Sequence, residues 1–125
     1  MSLRLELSRD ERAPAVARQA VDGLGAACDA AMVADARLLV SELVTNSVQH
    51  GGGDMITVHL DVDRSGVLRC EVIDDGGGFV PRGRDNRVVG GWGLDLVEQI
   101  AESWGVREGS THVWFELAIG DFARR

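Results

Sequence analysis

The sequence predicts an α+β fold, a two-layer arrangement in which helices cover one face of a mixed, mostly antiparallel sheet. Two observations carry this expectation. Stretches of helical period occupy the first part of the chain, and stretches that alternate residue by residue dominate from residue 56 onward. A third concerns size: 125 residues at 45% hydrophobic content suffice for one core, so the whole of 1–125 is expected to form one domain.

The elements follow in order. Leu3-Arg4-Leu5-Glu6-Leu7 alternates and reads as a strand with one buried face. Ser8-Arg9-Asp10-Glu11 has the Ser-x-x-Glu pattern of a capping box, which predicts a helix from about residue 9 to Gly23, with Pro14 early in it. Ala13, Val16, Ala17, Ala20, Val21 and Leu24 recur at helical spacing along it. A second helix is expected over about 29–49, ended by Gly51-Gly52-Gly53. Residues 56–62 and 67–73 alternate on either side of Ser65-Gly66 and read as a hairpin. A third helix is expected from Leu94 to Ser103, then a short strand at 104–107 and a strand at 112–118.

Composition narrows the function. A net charge of −7 argues against a nucleic-acid binder, which normally shows a basic face. No apolar run is long enough to span a bilayer, and the first residues do not resemble a secretory signal, so a cytoplasmic protein with no membrane partner is expected. Cys28 and Cys70 lack metal or redox spacing and read as buried thiols.

Three segments can carry chemistry. On the second helix, Glu42, Asn46 and His50 are spaced by four and share one face. A carboxylate there can accept a proton, and a carboxamide can offer a neutral oxygen to Mg²⁺. The same residues also extend a polar stripe of Ser41, Thr45 and Gln49 opposite Leu39, Val40, Leu43, Val44 and Val48, so on its own the helix reads as a solvated amphipathic one. In Asp74-Asp75-Gly76-Gly77-Gly78 a strand ends in a carboxylate that can accept from an exocyclic amine, with Gly76 and Gly78 clearing space for a flat ring. Taken alone this is equally an acidic turn. Gly90-Gly91-Trp92-Gly93-Leu94 opens a helix whose free amides can hold phosphate, although it matches neither the P-loop nor the dinucleotide fingerprint. Between the last two segments, Arg82, Arg84 and Arg87 make a locally basic loop that reads as a flap over a triphosphate or as a solvated loop.

Taken together, these segments resemble the GHKL ATPase superfamily of gyrases, heat-shock chaperones, histidine kinases and mismatch-repair proteins. Glu42 to Gly51 looks like its N box, Asp74, Gly76 and Gly78 like its D-x-G-x-G box, and Gly91, Gly93 and Leu94 like its G-x-G-L box. The resemblance implies the Bergerat ATP-binding fold. It also implies Glu42 as general base, Asn46 as Mg²⁺ ligand, and His50 in a structural or phosphate-adjacent place. Asp74 would bind the adenine amine, with Gly76, Gly78 and Thr111 around the ring, and Gly91, Trp92, Gly93 and Leu94 would present amides to the phosphates. Position 92 departs from the wider pattern in carrying Trp, so an arginine for the γ-phosphate would come from the 82–87 loop.

Within the superfamily the chain looks most like small bacterial anti-sigma serine/threonine kinases. That likeness implies ATP and Mg²⁺ as cofactors, an anti-anti-sigma antagonist as phosphorylation substrate, a sigma factor as second partner, and a homodimer. The alternative expectation, prompted by Trp92 and the short lid, is an ATP-dependent module that sequesters its partner without phosphoryl transfer.

Overall fold

A computed structural model of the chain describes residues 1–26, 28–75, 94–106 and 112–118. The described elements run β1 (Ser2–Ser8), α1 (Ala13–Asp22), a 3-10 turn (Gly23–Ala26), α2 (Ala30–His50), β2 (Met55–Val62), β3 (Val67–Asp74), α3 (Leu94–Ile100), β4 (Ser103–Val106) and β5 (Val113–Ala118). The strands form one sheet in the order β1-β2-β3-β5-β4, and every described pairing is antiparallel.

The alternation that marks the strands also sorts their side chains. Ile56, Val58 and Leu60 of β2, Leu68, Cys70 and Val72 of β3, and Val113, Phe115 and Leu117 of β5 all point into the core. Ala13, Ala17 and Val21 of α1, Ala36, Leu39, Val40, Leu43 and Val44 of α2, and Val97 of α3 close over them. The small residues of α1 let it lie close against α2. Arg18 Nη1 donates to Ser41 Oγ at 2.8 Å, and Arg37 pairs with Asp22 at 2.8 Å across the same seam. Both cysteines are buried and free, and burial pushes both thiols up, strongly so for Cys70.

Two expected boundaries shift, each for a local reason. The first helix starts at Ala13 rather than residue 9, its N-cap is Arg12, and no side chain caps it. Ser8 is already committed to β1, where it pairs with Met55, so the Ser-x-x-Glu pattern cannot form a capping box. A turn intervenes instead, with Asp10 N donating to Ser8 O at 2.9 Å and Arg12 N to Asp10 Oδ1 at 2.9 Å. The third helix stops at Ile100 because Glu102 N donates to Glu116 O at 2.8 Å and Ser103 joins β4 beside β5.

The β2–β3 turn forms as expected. Gly66 takes a φ of 89°, and Asp63 Oδ1 accepts from Ser65 N, Ser65 Oγ and Val67 N at 2.7–3.1 Å.

Away from the helices the sheet carries a polar network. The Arg69 guanidinium lies 4.2 Å from the Trp114 ring centroid, and Glu71 stands 3.1 Å from His112 Nε2, 3.5 Å from His59 Nδ1 and 3.5 Å from Arg69 Nη2. Burial draws the Glu71 carboxyl upward, but hydrogen bonds and charge from His112, His59 and Arg69 outweigh it and hold the group below the usual carboxylate range.

Candidate functional site

The site is built where α2 ends against the end of β3. Asp29 caps α2 at its start, its side chain accepting from Met32 N at 2.7 Å, and the helix runs to His50. Glu42 and Asn46 are half-buried on this helix, and His50 is exposed at its last position. The spacing of four keeps all three on one face. Half-burial of Glu42 and Asn46 departs from a fully solvated stripe.

Asp74, the last residue of β3, is one of two buried polar residues among the described ones, at 8% exposure; the other is Ser47, at 6%. They are partners. The Ser47 hydroxyl donates a short hydrogen bond to Asp74 Oδ2, and Gly52 N donates to Asp74 Oδ1 at 3.2 Å. The chain then locks in the other direction, Asp75 N donating to Gly52 O at 3.1 Å. The carboxylate is thus oriented by a hydroxyl from the last turn of α2 and an amide from the loop after it.

Glycine is required at the closest point. A Cβ on Gly51 would run into Asp74 Oδ2 and would stand 2.6 Å from Ser47 O and 2.7 Å from Asp74 Cγ. Gly53 holds a φ of 78° beside the Asp75 side chain. The triple glycine therefore does more than end the helix: it brings backbone against a buried carboxylate.

Of the residues singled out from sequence, Glu42, Asn46, His50 and Asp74 fall on α2 and on the strand end that α2 meets. Leu94 opens α3, a helix enclosed by the core through Val97. Gly76, Gly78, Gly91, Trp92, Gly93 and Thr111, together with Arg82, Arg84 and Arg87, lie outside the described residues. Ser47, Gly51 and Gly52 are the contributors that sequence reasoning missed as site residues. A signal existed for Ser47: it falls three and four residues after Val44 and Leu43, on the apolar side of the helix, where a hydroxyl needs a partner.

Comparison with known proteins bears on the fold and the family. A search of curated proteins finds no match. Among solved structures the chain is similar to the crystal structure of the RsbU and RsbW domains of Rv1364c from Mycobacterium tuberculosis, with a TM-score of 0.71 and 24% identity over 94% of this chain. It spans 31% of that longer chain, and the likeness is one of fold. The family described as histidine kinase-like ATPase domain matches residues 7–117, a span from the end of β1 to the end of β5. The chain therefore belongs to the histidine kinase-like ATPase domain family.

Proposed function

We propose that the chain is an Mg-ATP-dependent serine/threonine protein kinase of the anti-sigma type, a single domain acting on a small antagonist protein. Family membership implies ATP as the nucleotide. The observation that carries the reading is the buried Asp74 carboxylate, held in orientation at the strand end by Ser47 and Gly52. A purine is distinguished at its exocyclic group, and a fixed carboxylate accepts from an amine where it would repel a carbonyl. The residues present fit such a ligand. The acceptor is oriented by neighbouring donors, the backbone beside it is free of side chains, and α2 offers a carboxylate and a carboxamide on one face.

In this reading Asp74 receives the adenine amine, with Gly76, Gly78 and Thr111 lining the ring. Gly91, Trp92, Gly93 and Leu94 present amides to the phosphates, His50 stands near them, and one of Arg82, Arg84 and Arg87 adds charge. Asn46 would hold Mg²⁺, which ordinarily keeps phosphate oxygens and water in its shell rather than an all-protein cage. Bound ATP supplies the transferable phosphoryl group. Glu42 accepts the proton of the partner's serine hydroxyl as that oxygen attacks the γ-phosphorus, the bond to the β–γ bridging oxygen breaks, and ADP leaves. The partners follow from the anti-sigma likeness: an anti-anti-sigma substrate, a sigma factor, and a second copy of the chain.

Two measurements test this. In a thermal-shift titration, ATP with Mg²⁺ should stabilise the chain and GTP should not. Asp74→Asn should weaken the ATP shift, and Asn46→Ala should remove mainly its Mg²⁺ dependence. A shift indifferent to the purine rules out Asp74 as the selector. With labelled ATP and the antagonist, Glu42→Ala should slow transfer by about 10²–10⁴-fold while ATP binding stays nearly intact. Nucleotide-dependent partner binding with no phosphoprotein would favour the sequestering module instead.

A further inference from the structure

Arg9 lies in the turn between β1 and α1, and nothing in the sequence pattern gives it a task. In the structure its guanidinium reaches the far end of α2. Nη1 donates to Ser47 O at 3.0 Å and to Val48 O at 2.9 Å, and Nε donates to Gly53 O at 2.6 Å. Its own backbone N donates to Asp54 O at 2.8 Å. The acceptors form two groups: the Ser47 and Val48 carbonyls in the last turn of α2, and the carbonyls of Gly53, the last of the three glycines, and Asp54.

Between those two groups stand Gly51 and Gly52, and the two groups also frame both donors to Asp74. Ser47 supplies the hydroxyl, and Gly52 supplies the amide. Ser47 O accepts from Gly51 N at 2.8 Å as well as from Nη1. Val48 O has lost its intrahelical donor, since Gly52 N turns to Asp74, and the guanidinium fills that place. Its planar fork fixes the angle between helix end and loop as a point charge cannot. The segment it spans contains three consecutive glycines, the residues with the most conformational freedom to lose on ordering.

We propose that Arg9 is a positioning residue for the nucleotide pocket. By clamping the α2 terminus to the 53–54 backbone it sets the direction of the Asp74 carboxylate, and so governs affinity and purine choice without itself touching the nucleotide. This rests on the reading of Asp74 as the adenine contact.

The test uses the full chain and calorimetric titration with ATP and with GTP, at a temperature where each variant is folded. Arg9→Ala should weaken ATP binding by about tenfold and narrow the preference over GTP, the loss expected when hydrogen bonds to a charged group are removed. Arg9→Lys, which keeps charge but not the fork, should fall between. Arg12→Ala, at a side chain that is 83% exposed, should match the wild type. In amide exchange Gly52 should open faster in Arg9→Ala while Val58, in mid-β2, stays protected. Folded Arg9 variants with wild-type affinity and selectivity overturn the proposal. So does failure of both variants to fold, since Arg9 would then support the fold at large. A wild-type chain that binds no ATP overturns the reading of Asp74 itself, whereas wild-type binding with unchanged Arg9 variants overturns only this inference.

Discussion

Glu71 and Asp74 stand on the same strand and face opposite sides of the sheet, and their surroundings differ in kind. Glu71, on the side away from the helices, is met by the Arg69 guanidinium and by the imidazoles of His59 and His112. Asp74, on the helix side, is met by a hydroxyl and a backbone amide. A guanidinium orients a carboxylate and also offsets its charge. A hydroxyl and an amide from the end of α2 fix the direction of a carboxylate at the strand end. The first arrangement suits a side chain that holds neighbouring strands together. The second ties a strand end to the helix terminus it meets.

The largest effect that could break this contrast comes from Gly51→Ala. The added methyl meets Asp74 and the Ser47 carbonyl, and backbone cannot yield as a flexible side chain can. A stability loss of about 2–3 kcal/mol is expected in denaturant unfolding, with weaker ATP binding. A neutral outcome would mean that the loop has slack and that Asp74 is not tightly held. Ser47→Ala is a smaller change. It removes one donor from a buried carboxylate and should cost about 1–2 kcal/mol, with a larger effect on nucleotide affinity than on stability at pH 7.

Glu71→Gln should cost about 1 kcal/mol or less at neutral pH, since its partners are partly solvated, and should leave nucleotide binding unchanged. Its pH dependence sharpens the contrast further. The folded Glu71 carboxyl is held below its ordinary value of 4.5, so the stability it contributes is present above that value and is lost as the pH falls through the lower folded one. Unfolding followed from pH 7 to 3 should show the wild type and Glu71→Gln converging at the acid end. Equal separation throughout would remove Glu71 as an ion-pair centre.

Much of the fold was legible because its signals are periodic. Alternation at 56–62 and 67–73 specified both strands and which residues enter the core, and the Asp63–Gly66 turn carries its own chemistry. The capping box misled because the pattern records residue types and not prior commitments. Ser8 fits a cap, but its backbone is engaged with Met55 in the sheet. The site was legible in part. A carboxylate closing a strand marks Asp74 locally, and the Glu42, Asn46 and His50 spacing marks one helix face. Ser47 and Arg9 act across long separations, and sequence spacing says nothing about which carbonyl a lone arginine will find.

Helix α3 has a mechanical property of its own. Val97, near its middle, is fully enclosed, and Glu98 Oε1 accepts from Trp104 Nε1 at 2.6 Å. Leu96 and Ile100 on either side of it pack against the same core, as does Trp104, so the helix is held along its length and the Glu98–Trp104 link ties it to the edge strand β4.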